Sequence, residues 1–442
     1  MKKKLVSVLL TAAMGVSLLA GCGAQDATDV ANQAASAVKD AADQAASAVA
    51  ENAGDVTANA DAIANLIAAT TDTVSLQLWC SETEQYQTVM KDIVEKFKAE
   101  YSAVNFDITI GAVSEADAKD RVLEDVEAAA DVFVFADDQI EELVKAGALN
   151  EVQATYTYDV AGSNTPAAVE AAKVDGKLYA YPFTASNGYF LYYNSDVLSA
   201  EDVASWEALT AKADELGKKV GMEVSGAWYL YGFFAGAGCT LTENEDGSNN
   251  CDWNSETGVA VAESIMNICA QKSFYNLNND NALAELATGD LIAFVSGTWN
   301  TKAFEEAYGT GYAAAKLPTF DVNGTATQMG SYSGYKFVGV NSYSKNVGWA
   351  MLLAEFISNA QSQEAVYEAT GEGPANTEAL AKASSPALDA LAAQSAYADL
   401  QRVGGAYWDP AAALGQNLVE GVDNIQQVLD DAVAGITQPV QQ

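Results

Sequence analysis

The stretch Val74-Ser75-Leu76-Gln77-Leu78-Trp79 sets Val74, Leu76 and Leu78 on one face and polar residues between them. Such alternation marks a half-buried strand. Tyr86, Val89, Met90, Ile93, Val94, Phe97 and Tyr101 then fall at helical spacing and form one apolar stripe. Alternation returns at Val104, Phe106, Ile108 and Ile110, and residues 115–129 have helical character. Asp131-Val132-Phe133-Val134-Phe135 follows as a short, nearly continuous apolar strand. Strands alternating with helices at this interval predict βαβ units and a mostly parallel sheet, covered on both faces. Ligands of such α/β sheets bind beyond the carboxyl ends of the strands. Trp79 to Glu84 and Phe135 to Gln139 occupy two such ends, which predicts a site there.

Further along, Lys177-Leu178-Tyr179-Ala180-Tyr181-Pro182-Phe183 and Tyr189-Phe190-Leu191-Tyr192-Tyr193-Asn194 form an aromatic-rich strand pair interrupted by Asn187-Gly188. The pair is too apolar for a surface loop and reads as a crossover between two lobes. A new set of helices begins at Ser205-Trp206-Glu207, with Ser205 suited to cap the first. About 370 residues follow residue 72, too many for one ordinary core, so two domains are expected.

At the other end of the chain, Lys2, Lys3 and Lys4 precede an apolar run from Leu5 to Ala20 and a zone of small residues. This is the pattern of a secretory signal, too short to remain as a membrane span. Leu19-Ala20-Gly21-Cys22 resembles the bacterial lipobox, which implies that Cys22 is lipidated and opens the mature chain. One acyl chain holds a protein only marginally, so the anchor needs more than one. The Ala-rich stretch behind it repeats Gln33-Ala34-Ala35-Ser36-Ala37-Val38 at Gln44-Ala45-Ala46-Ser47-Ala48-Val49. A period of eleven keeps one small-residue face along a helix, and the stretch reads as a spacer.

Composition excludes several functions. A formal net charge of −38, from 60 Asp plus Glu against 22 Lys plus Arg, repels nucleic acid and anionic headgroups. The sequence contains no histidine, which removes Ser-His-Asp and Cys-His triads and most zinc sites. Cys239 and Cys251 flank a turn-rich run that looks like a hairpin, so the two can face each other, and an exported location permits a disulfide. Cys80 and Cys269 read as small buried residues.

These pieces together resemble the extracellular solute-binding proteins of ABC importers, and most closely the maltose/maltodextrin-binding group. The resemblance runs from about residue 74 to residue 437 and is carried by motifs in order. They are Asp131 to Asn150, Asp175-Gly176-Lys177-Leu178-Tyr179-Ala180-Tyr181-Pro182, Tyr192-Tyr193-Asn194 with Ser205-Trp206-Glu207, Gly297-Thr298-Trp299, and Lys316-Leu317-Pro318. The resemblance implies an α/β, two-lobed Venus-flytrap fold with three crossovers between lobes. Residues 1–21 are then the signal and 22–72 the lipidated Cys and spacer. Residues 73–184 with 330–374 make the first lobe, and 185–329 with 375–442 the second.

The resemblance further implies a monomer that closes its cleft on an oligosaccharide and delivers it to a permease, touching the membrane only through its lipid, with no cofactor. Carried over residue by residue, Phe135, Trp228, Trp299 and Trp408 fall on sugar-stacking positions and Asp138 on a hydroxyl-binding one. The chain departs from the family at Gln139, where a basic residue is usual, and at Ser186 and Asn187 near the crossover carboxylate. It also carries Ser81, Glu82 and Glu84 where an acid–lysine pair is usual.

Bland readings stand beside these. Trp349 lies on an apolar helical stripe and reads as core, Trp206 packs between elements, and Asp138 can cap the helix that follows it. An enzyme with paired carboxylates finds no distinctive support, because with 60 acidic residues a pair always exists. Other neutral oligosaccharides and polyamines are the rival ligands on the same fold.

Overall fold

The computed structural model describes residues 59–152, 155–244 and 246–439. Cys22, the signal and most of the Ala-rich spacer lie outside the described residues. Residues 59–69 are helical, and the chain from Thr70 onward forms a separate compact unit. Among the described residues no helix is long and apolar enough to cross a membrane.

Ten strands build two sheets: β1 (Val74–Cys80), β2 (Phe106–Ala112), β3 (Val132–Ala136), β4 (Tyr181–Thr184), β5 (Tyr189–Asn194), β6 (Lys219–Met222), β7 (Phe274–Asn276), β8 (Leu291–Gly297), β9 (Tyr312–Ala315) and β10 (Lys336–Val340). The first sheet has the order β2-β1-β3-β10-β4 and the second β7-β6-β8-β5-β9. In each, the fourth position is held by a strand antiparallel to its neighbours, β10 in one and β5 in the other. The remaining pairs are parallel, as the βαβ pattern predicts. Both antiparallel strands follow a passage of the chain between the sheets, over 185–188 before β5 and over 316–335 before β10. Asn187-Gly188 thus separates strands of two different sheets.

Burial follows the patterning. The predicted stripe Tyr86, Val89, Met90, Ile93, Val94 and Phe97 is the buried face of α1 (Glu84–Glu100). Every residue of β3 and of β8 is buried, which is why both read as continuous apolar runs. The helical stretch expected over 115–129 is shorter, Ala118–Glu124, because Asp125 turns to an extended backbone. Ser205 caps α2 (Trp206–Leu216), its Oγ accepting from the Ala208 amide at 3.1 Å. Trp206, Trp253 and Trp349 are core residues, Trp253 stacked on Phe234 at 4.1 Å.

The hairpin between Cys239 and Cys251 is present, pairing Leu241–Glu243 with Asn249–Cys251. Its register sets Leu241, not Cys239, opposite Cys251, and both thiols are free. The disulfide that an exported location would permit is not formed. Burial pushes the Cys239 thiol up to about 11 and the Cys251 thiol up to about 12.

Candidate functional site

Ends of strands from both sheets converge on one cleft of about 650 Å³. Ser81, Glu82 and Thr83 after β1, Ser114 to Ala116 after β2, and Ala136, Asp138 and Gln139 at the end of β3 line the first-sheet wall. Trp228, Trp299, Asn300 and Trp408 line the facing wall, with Asn187 from the passage between sheets. Both strand ends singled out in the sequence reach this cleft.

The three tryptophans stand where the chain enters helical turns. Trp228 is the second residue of α3 (Ala227–Gly236), Trp299 sits in the turn Thr298–Asn300 directly after β8, and Trp408 opens the helix Trp408–Glu420.

The Trp228 and Trp299 rings lie 5.7 Å apart, inclined by 48°. Tyr189 packs edge-on against Trp228 at 4.6 Å, and Tyr407 supports Trp408 at 5.1 Å. Gly297 makes room for the Trp299 indole, since a Cβ there would fall 2.0 Å from the ring. All three tryptophans are half-buried and line the cleft.

The first-sheet wall is polar and largely self-paired. Asp137 is fully buried and accepts from the Arg402 guanidinium at 2.9 Å and from the Tyr335 amide at 2.9 Å. Burial still pushes its carboxyl up, against the pull of Arg402. Lys336 donates to Glu372 at 3.0 Å and to Glu115 at 3.4 Å, all three buried. Burial disfavours its charge, but the two carboxylates outweigh that and hold the ammonium above its usual range. Asp138 differs, because its Oδ1 is enclosed and has no hydrogen-bond partner. Burial, then the neighbouring Asp137, push the Asp138 carboxyl up to about 6, opposed by Gln401 and Arg402. A buried acceptor without a donor is uncommon in folded proteins.

The cleft brings together seven of the nine residues singled out in the sequence: Glu82, Asp138, Gln139, Asn187, Trp228, Trp299 and Trp408. Two lie elsewhere. Phe135 is fully buried, its ring 5.8 Å from Phe337 in the core of the first lobe, because β3 is covered on both faces. It offers no face to a ligand. Glu84 is exposed in the first turn of α1, where a carboxylate complements the helix dipole. Gln139 lines the cleft, yet its amide is committed: Nε2 donates to the carbonyls of Glu115 and Ala116 at 2.8 Å, and Oε1 accepts from the Lys119 amide at 2.9 Å. It holds the loop after β2 in place.

Sequence reasoning passed over Gln401, Lys336, Glu372, Glu115 and Tyr86, all of which line the cleft. Only Lys336 carried a signal, as a lone cation opening the otherwise apolar run Phe337-Val338-Gly339-Val340. Among the described residues no group of three or more His, Cys, Asp or Glu is placed to hold a metal ion.

Comparison with known proteins places this architecture. A galactooligosaccharide-binding protein of Bacillus subtilis (strain 168) is 28% identical over 393 residues, covering 81% of this chain and 87% of its own. A solved structure described as being with acarbose is 30% identical, has a TM-score of 0.74, and matches 83% of this chain and 99% of its own. The maltodextrin-binding protein MalE1 from L. casei BL23, solved without ligand, is 28% identical with a TM-score of 0.68, over 83% of this chain and 100% of its own. Residues 92–393 match the family model of the bacterial extracellular solute-binding proteins. The chain belongs to that family, a class of binding proteins rather than enzymes, with its cleft at the facing carboxyl ends of two α/β sheets.

Proposed function

We propose that this protein captures oligosaccharide outside the cell, with maltodextrins (α-1,4-glucan oligosaccharides) as preferred ligand. It hands them to an ABC transporter permease by closing the cleft, as a monomer held at the membrane by lipid on Cys22.

One observation carries the reading: Trp228, Trp299 and Trp408 face a polar wall across a cleft of about 650 Å³. A pyranose offers flat C–H faces and rims of hydroxyls. Inclined aromatic platforms suit the faces at low entropic cost, and fixed polar groups suit the rims. Binding energy that is realised only when both walls touch the ligand favours the closed form.

The charge arrangement supports a neutral ligand. Asp137 is paired with Arg402, and Glu115 and Glu372 with Lys336. A polyamine needs carboxylates free of internal cations; these three are paired, and Asp138 and Glu82 line the cleft outside those pairs.

The Bacillus subtilis relative favours a second reading on the same fold, a galactooligosaccharide ligand. Calorimetric titration with maltotriose, a galactotriose, glucose, xylotriose and spermidine separates the cases. Micromolar binding of maltotriose, about 8 kcal/mol, with loss in Trp299→Ala, is expected. A response to galactotriose alone moves the ligand, and a response to spermidine alone overturns the reading.

A further inference from the structure

One buried hydroxyl meets three segments of the chain where it passes between the sheets. Ser186 is 2% exposed and Thr298 is 1% exposed. The Gly373 amide donates to Ser186 Oγ at 2.7 Å, and Ser186 Oγ lies 3.0 Å from Thr298 Oγ1. Thr298 Oγ1 in turn donates to the Ser186 carbonyl at 3.3 Å. The segments so joined are the passage 185–188 between β4 and β5, the turn Thr298–Asn300 after β8, and the loop 371–376.

Each segment carries a cleft residue beside its bonded one. Asn187 follows Ser186, Trp299 follows Thr298, and Glu372 precedes Gly373. Glu372 is itself tied to β10 of the first sheet, accepting from Lys336 at 3.0 Å. The loop also packs closely on the chain just beyond the turn. Gly371 has φ +88°, and a Cβ there would fall 2.6 Å from the Thr301 Cβ.

We propose that Ser186 is a positioning residue: its hydroxyl fixes the turn that carries Trp299 against the loop that carries Glu372, and so sets where the Trp299 ring stands in the cleft. The inference rests on the reading of this cleft as the ligand site, and it deepens that reading.

The hydrogens balance. A serine hydroxyl has one hydrogen to give and lone pairs with which to accept. Thr298 gives its hydrogen to the Ser186 carbonyl, so Ser186 gives its own to Thr298 and accepts from Gly373. The backbone binds the passage to the loop, with the Ala185 amide donating to the Gly373 carbonyl at 2.8 Å, and to the strand before the turn, where Tyr189 pairs with Gly297. The Ser186 hydroxyl adds the bond that reaches the turn itself. Replacing it by a methyl group strands the Gly373 amide and releases Thr298 at a buried site, where an unmet polar group is costly. The turn then relaxes, and Trp299, next in the chain, moves with it.

The test is a double-mutant cycle read by calorimetric titration with maltotriose, or with a galactotriose where the wild type prefers it. Ser186→Ala and Thr298→Val are each expected to weaken binding about tenfold, the scale of one hydrogen bond. In a Trp299→Ala background, which has no ring to position, the same substitutions should change affinity by less than about twofold. Losses that add in full overturn the proposal, because a merely structural role weakens both backgrounds alike. Single variants that bind like wild type overturn it too. Fluorine NMR of the empty protein labelled with 5-fluorotryptophan gives a readout without sugar, the Trp299 line being assigned by its absence in Trp299→Phe. Ser186→Ala should move that line, and an unmoved line overturns the proposal. If Ser186→Ala does not fold, Thr298→Val, which keeps the shape and the Gly373 bond, decides through the cycle. A wild type that binds neither sugar, with the Trp299 line moved by Ser186→Ala, defeats the ligand reading and leaves the positioning role standing.

Discussion

The guanidinium of Arg402 sits 2.9 Å from the carboxylate of Asp137, joining residues far apart in the chain, each next in sequence to a residue that lines the cleft. Asp137 is fully buried, so without Arg402 it keeps only the Tyr335 amide as a partner from another residue. Removing one member of a buried pair strands the other. Arg402→Ala is expected to cost about 3 kcal/mol of stability in chemical denaturation, with much of the loss recovered in Asp137→Asn/Arg402→Ala.

Gly297 is the space into which the Trp299 indole folds. A methyl group there would overlap the ring, and the Gly297 backbone itself tolerates alanine, with φ −106°. Gly297→Ala should therefore keep its fold but tilt Trp299 out of the cleft. Calorimetry is expected to show affinity reduced on the order of tenfold, close to the effect of Trp299→Ala.

Asp138 is expected to make binding depend on pH. Its carboxyl is raised from 3.8 to about 6, so burial favours the protonated form. The associated stabilisation of the empty protein is complete below about pH 4 and is lost as pH rises through about 6. A ligand hydroxyl donating to Oδ1 prefers the ionised form, so affinity should rise across the same interval. Asp138→Asn is expected to flatten both profiles and to be more stable than wild type at pH 7 when empty.

Lys336 neutralises two buried carboxylates. Lys336→Met leaves Glu115 and Glu372 buried without their cation, at a cost of about 3–5 kcal/mol. Burial already raises the Glu372 carboxyl and Lys336 opposes that rise. The variant should therefore be weakest at alkaline pH and regain stability as Glu372 protonates. Melting curves from pH 5 to 9 check the sign.

Phe135 separates packing from binding. Phe135→Ala opens the core beside Phe133 and Phe337 and is expected to cost about 3–5 kcal/mol. Where the variant remains folded, its affinity for maltotriose should stay within a few fold of wild type. A large loss of affinity at unchanged stability would return Phe135 to the site.

Much of this protein was written in local pattern. The period-two stretch at Val74–Trp79, the helical stripe from Tyr86 to Phe97 and the apolar run at Val132–Phe135 stated the βαβ order without a partner, because side-chain periodicity is a local property of strand and helix. Small or turn residues before Trp228, Trp299 and Trp408 likewise marked them as standing at turns.

Pairing across the chain was not written there. Phe133 and Phe135 look as available as any tryptophan, and only the packing of β10 and of neighbouring helices around β3 seals Phe135. Cys239 and Cys251 flank one hairpin, yet a register set by its strands puts Leu241 opposite Cys251. Gln139 became a loop staple and Gln401 an acceptor for the Trp228 indole by virtue of what lay within 3 Å of each amide. An amide is equally able to bind backbone, indole or ligand, so its role belongs to its neighbours. Those neighbours are fixed by the tertiary fold, since burial leaves each polar group only the partners that packing brings to it.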